Sequence, residues 1–83
     1  MTGWLRVRKK PVVVHARRVD ERTAVETREG TVVAEPGDYL MCGGDGELYP
    51  CDRVIFERTY SIVEDVEEPP DHMDVDALRG YPA

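Results

Sequence analysis

Apolar and polar positions alternate along much of the chain. From Trp4 to Arg8, Leu5 and Val7 face one way and Trp4, Arg6 and Arg8 the other, which predicts a half-buried strand. Pro11 opens the next run, where proline is tolerated. Val12 to Val19 is the strongest strand signal, with Val12, Val14 and Ala16 on one face and Val13, His15, Arg17 and Val19 on the other. Asp20-Glu21-Arg22 interrupts it. Thr23–Arg28 and Thr31–Glu35 flank Glu29-Gly30 and predict a hairpin.

Turn chemistry is densest between Glu35 and Tyr60. Pro36-Gly37 fits a type II turn, with glycine at the position that needs positive φ and the Asp38 carboxylate placed to accept turn amides. Tyr39–Cys42 predicts a short buried strand, Gly43-Gly44-Asp45-Gly46 a reversal, and Glu47–Tyr49 the return strand, which Pro50 ends. Asp52 is placed to cap a short helix starting near Arg53, and Tyr60–Val63 reads as a final strand. Pro69-Pro70 excludes helix and sheet at the root of an acidic C-terminal stretch, in which Asp74–Arg79 has the makings of one weak helical turn.

These elements predict a mainly β domain: a small bent antiparallel sheet or partly open barrel with one short helix, over residues 1–66. A mobile acidic tail follows over residues 67–83. No helix–strand alternation suggests a parallel sheet, and no internal repeat is visible. At 83 residues the chain buries only about 60–65% of its unfolded surface, so its expected stability is modest.

Part of the sequence resembles a family of small phage and prophage proteins known by a Pro-Gly-Asp-Tyr motif. Three blocks carry the resemblance: Lys9-Lys10-Pro11-Val12-Val13-Val14-x-Ala16, then Pro36-Gly37-Asp38-Tyr39, then Gly46-Glu47-x-Tyr49-Pro50-Cys51-x-x-x-Ile55-Phe56-Glu57-x-Thr59-Tyr60. It covers roughly residues 8 to 61, and its last block is the specific one. His15 stands where the pattern has an acidic residue, and Leu40 where glycine is common. The family has no established activity, so the resemblance implies a genomic context and not a mechanism.

Charge is unevenly placed around a net of −6. Arg6, Arg8, Lys9, Lys10, Arg17 and Arg18 fall in residues 1–18 without an acid. Glu64, Asp65, Glu67, Glu68, Asp71, Asp74 and Asp76 fall in residues 64–76 without a base. One reading is a solvated basic strand and a solubilising tail; the other is a tail that contacts its own basic arm or a basic partner. The overall acidity argues against binding duplex nucleic acid. A tail that imitates nucleic acid fits a phage origin but rests on charge alone. Only two of the eleven basic residues are lysine, a bias shared by salt-adapted cytoplasms and high-GC genomes. The leading residues lack the apolar run of a signal peptide and no stretch is long enough to span a membrane, so a soluble cytoplasmic protein is expected.

Chemistry-bearing residues are few. With the reversal centred on Asp45-Gly46, Cys42 is expected opposite Tyr49 and Leu40 opposite Cys51, which separates the thiols along the ladder and leaves both free. Metal-ligand spacing is lacking among Cys42, Cys51, His15 and His72, and no cofactor is expected. Cys51, ahead of the helix, is either a packing residue or a thiol whose pKa the helix amides lower. Asp38, Glu47 and Tyr49 are either turn-capping groups or acid–base residues. Tyr39, Tyr49 and Tyr60 form either a small aromatic core cluster or a platform for a planar ligand. The leading expectation is a non-enzymatic phage-type accessory protein that binds a partner protein or a second copy through an exposed strand. The alternative, from a different class, is a small-ligand or nucleotide-binding module, an enzyme included, with its site among Asp38, Glu47, Tyr49, Cys51 and Tyr60.

Overall fold

Two three-stranded antiparallel sheets share the chain in the computed structural model, which describes residues 3–80. The first runs in the order β1 (His15–Arg18), β4 (Tyr39–Cys42), β5 (Leu48–Cys51). The second runs β3 (Gly30–Ala34), β2 (Thr23–Thr27), β6 (Leu78–Gly80). One helix, α1 (Arg53–Thr59), follows β5. Among the described residues the fold is thus mainly β with a single short α-helix, and its sheets do not close into a barrel.

Local chemistry explains both hairpins. Thr27 stands opposite Gly30 across a two-residue turn, where its hydroxyl donates to the Gly30 carbonyl (2.7 Å) and accepts the Glu29 amide (3.1 Å). The second hairpin differs by one residue from the expected register: Cys42 faces Leu48, and Tyr39 faces Cys51. The cause lies in the loop. The Gly43 amide donates to the Glu47 carbonyl at 2.9 Å, and the Asp45 carboxylate accepts the Glu47 amide at 3.0 Å, so five residues are spent on the reversal. Both cysteines are free, at opposite ends of β4's ladder.

Alternation gives the β4–β5 hairpin two buried faces. Leu40, Cys42 and Leu48 pack with Val25, Ala77, Met73 and Leu78. The opposite face carries Tyr39, Met41, Tyr49 and Cys51, and α1 lies over its Tyr39 end, with Phe56 the helix's only buried side chain. Asp52 caps α1 as expected, accepting the amides of Val54 (2.8 Å) and Ile55 (3.3 Å).

Three expected elements come out differently. Trp4–Arg8 forms no strand, and the strand expected from Val12 begins only at His15; residues 4–13 are exposed. Tyr60–Val63 is likewise without strand pairing. In each case no partner strand among the described residues lies alongside. The stretch expected as a tail from residue 67 divides. Residues 61–71 hold no helix or strand, whereas from Met73 onward the chain rejoins the domain. The Asp74 amide donates to the Gly46 carbonyl (3.0 Å), Val75–Ala77 makes a 3₁₀ turn, and Leu78–Gly80 pairs with β2. The domain therefore extends past residue 66: acidity hides the apolar Met73, Ala77 and Leu78 that anchor this return. Residues 81–83 lie outside the described part.

Candidate functional site

The Pro-Gly-Asp-Tyr turn is stitched to the end of β1. Gly37, with φ at +95°, donates its amide to the Val19 carbonyl, and Val19 donates to the Asp38 carbonyl, both at 2.8 Å. The Asp38 carboxylate accepts the Glu35 amide at 3.1 Å, the turn-capping role open to it from sequence. Directly after it, Tyr39 stacks on Phe56 with ring centroids 3.7 Å apart, and Phe56 in turn stacks on Tyr60 at 5.3 Å. Phe56 thus covers one ring face of each of these tyrosines.

Tyr49 sits beside this stack. Burial, then the hydrogen bond it shares with Tyr60, push its phenol up to about 12. The nearby charges of Cys51 and Glu47 act in the same direction. The folded state therefore holds this proton more tightly than the unfolded chain, whose tyrosines ionise near 10. Stability should be indifferent to this group below pH 10 and fall as pH rises from about 10 to about 12. Denaturant titrations of wild type and Tyr49→Phe across that window check it: the variant should lose this part of the alkaline decline. Parallel curves would mean the Tyr49 proton is not held by the fold.

Cys51 is not activated. The Asp52 carboxylate already takes the helix amides that were expected to favour a thiolate, and adds a negative charge of its own. Burial first, then Asp52 and Asp38, push the Cys51 thiol up. Nor is a base at hand. His15 stands opposite Cys42 and Cys51 opposite Tyr39, which sets them about 10 Å apart along the ladder. Cys51 should accordingly react with a maleimide or disulfide reagent more slowly than an ordinary exposed thiol at neutral pH, and Asp52→Asn should speed it. A fast wild-type reaction would contradict this arrangement.

Glu47, whose charge reaches Tyr49, makes its ion pair away from the corner. Arg28 pairs with Asp45 and, at 3.4 Å, with Glu47. The Glu47 amide, then Arg28, hold the Asp45 carboxyl below its usual range. These groups, with Glu26, Asp74 and Arg79, line an open cleft of about 420 Å³. A second, shallower cleft lies between His15 and residues 66–71. Neither is lined by Asp38, Tyr49, Cys51 or Tyr60. Four of the five candidate residues are gathered at one corner, as packing and capping groups, while Glu47 points its charge at Arg28. Among the described residues, no buried side-chain nitrogen or oxygen lacks a partner, and no group of three His, Cys, Asp or Glu side chains is disposed to hold a metal ion. No helix among them is long and apolar enough to cross a membrane.

The Arg28–Asp45–Glu47 cluster was not foreseen, because its members come from two separate turns. His72, expected in the tail, lies edge-to-face with His15 (6.1 Å between centroids) and its Nε2 is 3.1 Å from the Gly43 carbonyl. Compared with family profiles, with curated proteins and with solved structures, the chain matches none.

Proposed function

We propose that this chain is a non-enzymatic, phage-type accessory module that engages a protein partner, or another copy of itself, through strand-forming segments left unpaired on its surface. The observation that carries this reading is the contrast between corner and arm. At the corner, Asp38 caps its own turn, Tyr49 shares a hydrogen bond with Tyr60, and Tyr60 stacks on Phe56. By contrast Trp4, Leu5, Val7, Val12 and Val13 are all exposed, in a stretch where Leu5 and Val7 alternate with Trp4, Arg6 and Arg8. Added-strand recognition uses such segments, with backbone hydrogen bonds for affinity and alternate side chains for specificity.

The experiment compares the full chain with a variant lacking residues 1–13 as bait in extracts of the native host. The proposal expects the variant to keep its β circular-dichroism signal and lose its protein partners. Equal recovery by both baits would overturn it, and recovery of a small molecule by both, lost in Tyr49→Ala, would transfer the function to the corner.

A further inference from the structure

We propose that the arm over residues 4–11 pairs, as an antiparallel strand, with residues 62–69 of a second copy of this chain, and that the pairing is reciprocal. This rests on the strand-addition reading above and names its occupant. Both segments lie outside the strand pairing of the two sheets and expose apolar side chains: Trp4 is 89% and Val7 84% exposed, and Ile62 and Val63 are each 73% exposed. Their charges are opposite. The arm carries Arg6, Arg8, Lys9 and Lys10, and the other segment Glu64, Asp65, Glu67 and Glu68.

One register sets three basic residues opposite acids and Val7 opposite Val66, with Leu5 then opposite Glu68 and Lys10 opposite Val63. Setting Arg6 opposite Glu67 places Val7 opposite Val66, Arg8 opposite Asp65 and Lys9 opposite Glu64. Cross-strand opposite charges and apolar pairs are the contacts that stabilise antiparallel ladders. Pro11 then falls at the end of the ladder, where its missing amide costs least. The arm does not meet this partner on its own chain. It leaves β1 at His15, which already lies beside residues 66–71, and the side chains from Trp4 to Val7 stand clear of the domain. A second copy related by a two-fold axis offers the segment to the arm and receives the same contact in return.

Charge-swapped variants decide the matter. One carries Arg6→Glu, Arg8→Glu and Lys9→Glu; the other carries Glu64→Lys, Asp65→Lys and Glu67→Lys. In sedimentation at about 100 µM and low salt, the wild type should be a dimer and each variant a monomer, weakened at least tenfold or so. A one-to-one mixture should regain the dimer, because both arm–segment contacts are complementary only between unlike copies. The wild-type dimer should also weaken toward about 0.5 M salt, where exposed charges are screened. A mixture that stays monomeric, variants that still dimerise, or a monomeric wild type would each overturn the proposal. Should a variant fail to fold, the emission of Trp4, the only tryptophan, decides in its place. A blue shift with rising wild-type concentration, reversed by salt, supports the pairing, and concentration-independent emission overturns it. A monomeric wild type whose arm still captures another protein would overturn the second-copy inference alone. A monomer with no arm-dependent capture would overturn the strand-addition reading as well.

Discussion

Phe56→Ala should bring the fold to the edge of unfolding. Phe56 is the only phenylalanine in the chain, the only buried residue of α1, and the middle ring between Tyr39 and Tyr60. Removing it leaves a cavity over one face of the β4–β5 hairpin and detaches a helix too short to persist alone. The expected cost is about 3–5 kcal/mol, against a total at the low end of the range of roughly 5–15 kcal/mol for a domain this small. Urea unfolding followed by circular dichroism measures it. A loss below about 1 kcal/mol would mean that α1 is not part of the cooperative unit.

Gly46→Ala should be nearly as damaging, for a different reason. Gly46 is buried, with φ at +86°. A Cβ there would overlap the backbone carbonyl oxygen of His72, which no side-chain rotation relieves. The substitution strains the left-handed conformation by roughly 1–2 kcal/mol. It also breaks the approach at which Asp74 donates to the Gly46 carbonyl. With the returning segment lifted away, Ala77 and Leu78 lose their burial against Val25 and Leu48. A total on the order of 3 kcal/mol is expected. Gly44→Ala is the internal control, since an added Cβ there meets nothing within 4 Å. Equal stability of the two variants would show that the segment from Met73 to Gly80 does not hold this position, and amide exchange along β2 would confirm which strand pairing is lost.

The hairpins were legible because their signals are local: alternating apolar residues, Gly-containing turns, and Asp52 ahead of a short apolar face. The arm over residues 4–13 was over-read because alternation records that a segment is able to pair, not whether a partner is present. The return of Leu78–Gly80 was missed for the opposite reason. Three residues hold too little periodicity to register, and acids surround them. At the corner, the capping role of Asp38 was readable from Pro-Gly-Asp, whereas the state of Cys51 turned on a single carboxylate. The same Asp52 that made the helix predictable consumes the amides that would have activated the thiol. The pairing of Arg28 with Asp45 and Glu47 joins residues far apart in sequence, which no local pattern encodes.

The late arrival of β6 has a consequence for how the molecule comes into being. β2 and β3 are neighbours in sequence and close through a two-residue turn, so their hairpin is expected to form early, while the strand that completes the sheet lies roughly fifty residues downstream. Until Leu78 to Gly80 are in place, β2 presents a bare row of amides and carbonyls next to the half-exposed Val32 and Val33. That is the geometry by which nascent or clipped chains template one another. Loss of these few residues to proteolysis would therefore do more than lower stability, since it would convert the earliest-formed part of the domain into a seed for stacking.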